Sequence, residues 1–578
     1  MNIRHTALLM FALPLAALAQ KEDDQIGNEV VNVVKPYTPT ISDAFKVKET
    51  PPVEDPDNVR KTDVKYNIFS YPVASTFTPS KGRAAGVERA AREQLYKNFA
   101  TVGIGNYGTA MAELFVTHDV GERSYVGGMF RHLSSQGGIK DVELEDGFHN
   151  TSLDLTYGSR GDVVSWNIDA GYQLQGYNWY GLPDDFGDML TDEARRELIN
   201  GIEPQHSYHN AYAAGKLSFS ETIFDELTVK YNRFWDSYDS EENRFIAKPK
   251  LSFEINQTRI RTDIIVDYVG TRYSGAFDFG ESLAFGYANF GVQPSFNVLR
   301  DDWSINFGAA AFYSMDMESD DNKFFIYPQV NASLKLVGDL MIFYAGAEGT
   351  LQQNSYRDFT NDNPYVAPFL GIAPTDRQYD IFAGLKGKLA SSVSYNVRGS
   401  YVNERNRALF LSNPYTYDDT NENYQFGNSF GVVYDDMRTI SFFGELKADF
   451  SKKVSFGVNG TFSSYSVDEQ AEAWNLPAIR VTSSLDVDIT QKWYAGAQVF
   501  FVGERKDFRD DLLLLENQNL VTLKPYFDAN AHVGYKHNDR LTGFIRLNNI
   551  ANQMYEKWLD YPVQGFQAIL GASYKFDF

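Results

Sequence analysis

Apolar and polar residues alternate with a period of two along most of this chain. Because successive side chains of a β-strand point to opposite faces, the alternation predicts strands with one apolar and one polar face. In the segment 566–578 the even positions carry Phe, Ala, Leu, Ala, Tyr, Phe and Phe, while the odd positions are mostly polar. The same alternation recurs at 166–175, 303–314 and 527–536. The sequence therefore predicts an all-β protein.

Two all-β architectures alternate in this way: the soluble sandwich, and the transmembrane barrel with an apolar lipid face and a polar lumen. The barrel is favoured because the strands reach about ten residues or more, carry aromatic residues at their ends and keep charges on the polar face. Bacterial single-chain barrels close with an even number of strands, and the segments predict about 22, within a range of roughly 16 to 24. The predicted fold is a transmembrane antiparallel up-and-down β-barrel over residues 67–578, in the outer membrane of a Gram-negative bacterium.

The connections between the predicted strands are of two kinds. Short polar junctions predict tight turns on the periplasmic side, at Gly338-Asp339, Ser451-Lys452-Lys453 and Asn538-Asp539-Arg540. Longer junctions predict extracellular loops, at 182–206, 356–376, 406–428 and 505–520.

The first residues have the form of a secretion signal. A basic start at Arg4 and His5 precedes an apolar run that ends in the small-x-small sequence Ala17-Leu18-Ala19. The run is shorter than the ~20 apolar residues that span a bilayer. Residues 1–19 are therefore predicted to be a signal peptide.

Residues 20–66 have a different character, with five prolines interleaved with charged residues. Proline fixes extended geometry and removes a backbone donor, so this segment is predicted to be an arm that lies in the periplasm or threads the barrel. Such an arm could dock on a periplasmic or outer-membrane protein partner.

Composition narrows the range of functions. The net charge of −23 argues against nucleic acid as a partner, because binding phosphates requires a basic surface. The absence of cysteine excludes a disulfide framework, thiolate metal sites and a cysteine nucleophile. The chain carries no HExxH motif and no phosphate-binding glycine-rich loop, and its eight histidines show no catalytic spacing. No enzymatic activity, cofactor or metal site is predicted.

The polar faces of the predicted strands carry charged residues of both signs. One interpretation is a hydrated lumen that orients passing solutes. The other is a network of cross-strand pairs that fills the lumen and stiffens the wall. Both interpretations stay open on the sequence. The candidate lumen-lining residues are Asp169, Arg259, Arg261, Asp263, Lys386, Lys388, Arg398, Glu445, Lys447, Asp449, Asp486 and Asp488.

The C-terminal segment carries a series of short motifs: Tyr526-Phe527-Asp528, Leu547-Asn548-Asn549-Ile550, Tyr555, Tyr561-Pro562-Val563-Gln564-Gly565 and a terminal Phe578. Their order and spacing resemble the barrel end of TonB-dependent receptors. Gly103 to Thr109 and His132 to Ser135 are similar to plugless barrels grouped with those receptors. The resemblance implies an outer-membrane transport protein. The family's globular plug does not fit between Gln20 and the first predicted strand, so a plugless barrel is expected.

The aromatic end of the last predicted strand consists of Tyr574, Phe576 and Phe578. It resembles the signal by which barrels are delivered to the barrel-insertion machinery, which is therefore an expected partner. Outer-membrane lipid and lipopolysaccharide are expected to surround the wall.

Two functions follow from these observations. The first is a plugless transporter or channel, similar to TonB-dependent receptors, for a hydrophilic solute. The alternative is a non-transporting accessory barrel of an outer-membrane assembly or secretion complex, which the proline-rich arm favours.

Overall fold

The computed structural model describes residues 96–220, 222–256, 258–274, 282–414, 421–509 and 519–578. The predicted signal peptide (1–19), the predicted arm (20–66) and the predicted start of the barrel (67–95) lie outside these residues. Twenty-two strands form one sheet in which chain neighbours pair antiparallel, and the first strand pairs with the last. The seam between them aligns Thr101 with Ser573 and Ile104 with Leu570. The prediction of a closed up-and-down barrel of about 22 strands is confirmed.

The strands of the barrel are β1 (Asn98–Gly105), β2 (Ala110–Asp119), β3 (Ser124–Ser135), β4 (Phe148–Ser159), β5 (Val164–Asn178), β6 (Gln205–Phe219), β7 (Phe224–Asp236), β8 (Glu241–Ile255), β9 (Thr258–Tyr273), β10 (Leu283–Leu299), β11 (Trp303–Asp316), β12 (Asn322–Val337), β13 (Met341–Gln352), β14 (Thr375–Ala390), β15 (Val393–Ser412), β16 (Phe430–Ser451), β17 (Val454–Val467), β18 (Ile479–Asp488), β19 (Trp493–Val502), β22 (Tyr526–Lys536), β23 (Leu541–Asn548) and β26 (Gln567–Phe576). Two small hairpins lie outside the barrel sheet: β20 (Arg505–Arg509) with β21 (Asn519–Leu523), and β24 (Glu556–Trp558) with β25 (Tyr561–Pro562). The described residues also form two helices, α1 (Asp192–Gly201) and α2 (Tyr356–Asp362). Neither helix is long and apolar enough to cross a membrane.

The wall has an apolar outer face and a polar inner face. On β4, Leu153 and Leu155 are exposed on the outside, whereas Asp154 between them bonds Arg131 and Tyr212 on the inside. On β26, Leu570 is exposed on the outside. Outward apolar residues are what a barrel wall presents to lipid, and inward polar residues are what it presents to its lumen.

The two ends of the barrel differ. At the end we call the short-turn end, a few residues join consecutive strands, and the predicted turns at 338–339, 451–453 and 538–540 lie there. The opposite end, the long-loop end, carries the connections 179–204, 353–374, 413–429, 503–525 and 549–566. Most of the residues predicted to form long loops lie at this end.

The predicted loop at 406–428 begins too early. β15 continues to Ser412, and its pairing with β16 shifts register between Glu404 and Arg407. Asn406 has a φ of 56°, a left-handed conformation that asparagine tolerates and that suits a β-bulge. The polar run that resembled a loop is therefore an irregular part of a strand.

Candidate functional site

The described parts of the long loops fold over the end of the lumen and form a structure that we call the cap. Its largest element is the central loop, residues 353–374, which begins with α2. Loops that follow β3, β5, β15, β19 and β23 contribute to the same cluster of buried residues. That cluster contains Tyr180, Phe186, Tyr356, Phe359, Val366, Leu370, Ile372, Phe426, Leu559 and Tyr561, together with the inward strand-end residues Tyr208, Phe234, Tyr273 and Phe430.

Three tyrosines at the centre of the cap come from distant parts of the barrel. Tyr180 follows β5, Tyr365 lies in the central loop after β13, and Tyr561 lies in the loop after β23. The rings of Tyr365 and Tyr561 stack with centroids 3.8 Å apart, and Tyr180 lies 4.8 Å from Tyr561. Because these strands stand far apart around the ring, the described loops must meet across the lumen.

Asn428 organises the polar contacts of the cap and is fully buried. Its Nδ2 donates to the carbonyls of Trp179 and Asn423, both at 2.9 Å, and its Oδ1 accepts from the Phe426 amide. The Tyr561 hydroxyl donates to the Asn428 carbonyl. Buried polar groups that are satisfied in this way specify one arrangement of the loops around them.

Helix α2 anchors the central loop to the wall. The Glu242 carboxylate on β8 accepts from the Tyr356 amide at 2.5 Å and from the Thr271 hydroxyl at 3.0 Å. The Tyr356 hydroxyl donates to Asp236 on β7 at 2.7 Å. A chain of charges completes the anchor, since Arg244 on β8 bonds both Asp358 of the helix and Asp267 on β9, at 2.7 and 2.8 Å.

A polar cavity of about 460 Å³ opens toward the lumen against the wall strands β2 to β6 and β23. Glu113, Arg131, Asp154, Tyr212 and Arg546 line it from the wall, and Arg357 of α2 lines it from the cap. Arg131 pairs with Asp154 at 3.1 Å, and the Tyr212 hydroxyl donates to the same carboxylate at 2.7 Å. At this cavity, charged wall side chains of both signs lie close to Arg357 of the cap.

The structure spreads the twelve candidate lumen residues over six strands and does not gather them at one site. Arg398 pairs with Asp380 at 2.7 Å and lies over the Phe382 ring, Lys386 lies over the Tyr344 ring, and Glu445 pairs with Lys447 at 2.8 Å. Arg259 reaches Asp225 at 3.4 Å, and Asp169 accepts from Asn167 at 2.6 Å.

Asp486 lines a second cavity of about 310 Å³ with His532 and Arg546. Among the described residues, Arg261, Asp263, Lys388, Asp449 and Asp488 form no side-chain ion pair.

Sequence reasoning missed the residues of the larger cavity. Arg131 and Arg546 lie on the polar faces of alternating strands, so the same periodicity could have selected them. Arg357 lies in a loop, where periodicity gives no orientation.

One sequence motif of catalytic serines was also missed. The segment Gly427-Asn428-Ser429-Phe430-Gly431 has the Gly-x-Ser-x-Gly spacing of a nucleophile elbow. The segment runs from a loop into a strand, and Ser429 is fully buried with its hydroxyl donating to the Tyr424 carbonyl at 2.6 Å. A buried serine in this setting has no access to a substrate.

The sequence predicted no metal site, and it placed a candidate assembly signal at the end of the last strand. Within the described ranges no three His, Asp or Glu side chains gather as a metal site. Phe578 is 80% exposed beside Phe576 and His118 at the short-turn end, and Tyr574 is exposed on the outer face.

Comparison with known proteins finds a shared fold. No protein-family model and no curated protein matches the chain. The ferric-catecholate import receptor Fiu from E. coli K12 aligns with 83% of this chain and 81% of its own, at TM-score 0.58 and 10% identity. The siderophore receptor PirA from Acinetobacter baumannii aligns over 83% and 80%, at TM-score 0.61 and 13% identity. The pyoverdine outer membrane receptor FpvA from Pseudomonas aeruginosa PAO1 aligns over 84% and 80%, at TM-score 0.60 and 10% identity. The chain thus shares the barrel fold of these three receptors, in agreement with the predicted fold.

Proposed function

We propose that this chain is an outer-membrane transporter or channel for a hydrophilic solute, built on a barrel like that of TonB-dependent receptors but without a globular plug. The observation that carries the proposal is the polar cavity between the wall and the central loop. The structural neighbours named above are an import receptor, a siderophore receptor and a pyoverdine receptor, which supports a transport function for the shared fold.

The charged residues of the wall support a hydrated lumen. Arg398 and Glu445 are engaged in ion pairs, whereas Arg261, Lys388 and Asp488 have no ion-pair partner in the described part of the chain. Unpaired charges facing the lumen require water around them, because burying an isolated charge is costly. We propose that the twelve candidate residues line a water-filled path.

In the plugless barrel that we propose, no globular domain obstructs the lumen beneath the cap. Closure then falls to the cap. Passage through the long-loop end requires the cap loops to separate, because the described loops pack across the lumen.

Current through single barrels in a planar bilayer tests the proposal. The purified protein is compared with a variant in which residues 357–371 are replaced by a Gly-Ser linker. We expect brief openings of the unmodified protein, when the cap loops separate, and a larger continuous current from the variant, because the central loop obstructs the lumen. A silent unmodified protein beside a conducting variant would contradict a channel, since it would show an intact wall that the cap keeps shut.

The second candidate function is an accessory barrel of an outer-membrane assembly or secretion complex. The fully buried aromatic core of the cap favours it, because a scaffold has no need to open. In this role the arm at 20–66 would bind the protein partner. Joining the signal peptide directly to Tyr66 tests this role: loss of a co-purifying protein from a correctly folded truncated barrel supports it, and an unchanged set of partners opposes it.

A further inference from the structure

We propose that the cavity beneath the cap binds an anionic solute, whose carboxylate or phosphate group is held by Arg357 from the cap and Arg546 from the wall. This inference rests on the proposed function, because it names the class of hydrophilic solute that the barrel would admit.

Arg357 is the only cation that the described cap contributes to the cavity. Its Nε is buried and has no hydrogen-bond partner among the described residues. Asp358, the next residue of α2, is engaged by Arg244, which is itself held by Asp267. A buried donor without a partner is costly, so Arg357 gains the most from a ligand that accepts its hydrogen bonds.

Arg546 on β23 is similarly uncommitted. Its Nη1 lies 3.4 Å from the Met111 sulfur, which is a weak acceptor, and its guanidinium stands 4.9 Å from the centre of the Phe544 ring. No carboxylate of the described chain forms an ion pair with it. A guanidinium presents its donors in a planar fork that matches carboxylate and phosphate oxygens.

The remaining charges around the cavity leave it positive. Arg131 pairs with Asp154, and Lys230 lies over the Tyr212 ring at 4.8 Å without a carboxylate partner in the described ranges. Glu113 stands opposite Arg131 in the β2–β3 register. The lining of the cavity itself carries three cationic side chains, Arg131, Arg357 and Arg546, against the two carboxylates of Glu113 and Asp154, in a protein whose net charge is −23. A concentration of positive charge against that background selects for anions.

A neutral solute would fit the cavity less well than an anionic one. It would displace water from Arg357 and Arg546 without supplying a compensating negative charge, which leaves two cations poorly solvated. The pair of arginines therefore discriminates by charge rather than by size.

Titration calorimetry on the full-length protein in detergent tests the inference with glucose 6-phosphate and citrate as anionic probes and glucose as the neutral probe. We expect the anionic probes to bind at least about tenfold more tightly than glucose, since a hydrogen bond to a charged group is stronger than one between neutral groups. Arg357→Gln and Arg546→Gln should each weaken glucose 6-phosphate binding about tenfold. Arg123→Gln, which removes an exposed arginine at the short-turn end, outside the cavity, is the matched control and should change nothing.

Glu113→Gln provides a test of opposite sign. It removes a carboxylate from the cavity and should tighten the binding of both anionic probes. This variant therefore tests the preference for anions even if an arginine variant does not fold. Equal binding of glucose and glucose 6-phosphate, or unchanged binding in the folded arginine variants, overturns the inference. Binding is measured without transport: a silent barrel that binds anions refutes only the channel, and a conducting barrel that does not bind them refutes only this site.

Discussion

The two ends of the barrel are built from different kinds of contact. At the short-turn end, a few residues such as 338–340 and 452–453 join strands that are neighbours in the chain. At the long-loop end, Tyr180, Tyr365 and Tyr561 bring together loops from strands that stand far apart around the ring. Local contacts therefore determine the wall and its turns, whereas long-range contacts determine whether the lumen is covered.

This difference between the two ends predicts that the wall determines the stability of the barrel and that the cap determines access to the lumen. The wall is held by backbone pairing that continues around the ring, including the seam between β1 and β26. The cap adds a buried aromatic core in which loop residues pack on strand-end residues such as Tyr208 and Phe234. Damage to the cap should therefore change access to the lumen, and damage to the wall should change the amount of inserted protein.

The largest effect is expected from Tyr561→Ala. Tyr561 is fully buried, stacks on Tyr365 and donates to the Asn428 carbonyl, and truncating a buried aromatic residue costs about 3–5 kcal/mol. We expect proteases to cut the cap loops of this variant, whereas the barrel keeps its heat-modifiable mobility on a gel. Its conductance should increase. Tyr561→Phe, which keeps the ring and loses one hydrogen bond, should cost only about 0.5–1.5 kcal/mol. Equal protease resistance in all three proteins would remove the distinction between cap and wall.

The wall should respond to which face is changed. Val499 and Gln498 are neighbours near the middle of β19, and the alternation places the first toward lipid and the second toward the lumen. Val499→Arg should destabilise the inserted barrel by about 2–4 kcal/mol, as a cation near the midplane of a barrel wall does. Gln498→Arg should insert at the level of the unmodified protein. Unfolding in urea in lipid vesicles measures both, and equal losses would refute the assignment of faces.

The cap should weaken as the pH rises. Burial raises the pKa of Asp560 from 3.8 to about 7, although the neighbouring Arg509 opposes the shift. The Asp560 carboxyl binds its proton more tightly in the folded cap than in the open cap. Protonation of Asp560 therefore stabilises the folded cap, fully below about pH 4, and this contribution is lost as the pH rises through 7. Hydrogen exchange of residues 549–566, corrected for intrinsic rates, should show more frequent opening at pH 8 than at pH 5. Asp560→Asn should flatten this dependence, and peptides of the short-turn end should show none.

The smallest effect on the folded molecule is expected from Phe578→Ala. Because Phe578 is mostly exposed, its removal should change the stability of the inserted barrel by no more than about 0.5 kcal/mol. If the terminal aromatic is an assembly signal, the yield of inserted protein in cells should nevertheless fall. A normal yield measured by heat-modifiable gel mobility would dismiss that role.

The sequence was sufficient to predict the wall but not the cap. Alternation is a property of consecutive residues, so the outward position of Leu570 and the approximate number of strands follow from local pattern. Asn406 misled the prediction because an asparagine in a bulge looks like the start of a loop. The contact between Tyr365 and Tyr561 joins segments far apart in the chain, and no periodicity indicates which loop aromatic meets which.

In the candidate site too, the wall residues could be predicted from the sequence and the cap residue could not. The charged wall residues could be selected by alternation, but selection by face does not say which of them share a cavity. Arg357 could not be selected at all, because its position depends on how α2 docks against Glu242 and Arg244. The resemblance to TonB-dependent receptors, which rested on the C-terminal motifs, anticipated the fold of the solved structures that this chain resembles.

The seam between β1 and β26 is also the part of the barrel that can close only when the last strand is present. It aligns Asn98 with Phe576 and Thr101 with Ser573, so one side of the joint is made long before the other. Until the last strand arrives, both edges carry unpaired backbone groups, each costing several kcal/mol in lipid. Joining ends so distant along the chain is the slowest kind of closure. The yield of this barrel should therefore depend on how long its open form survives before the final strand docks, and only secondarily on how stable the closed ring becomes.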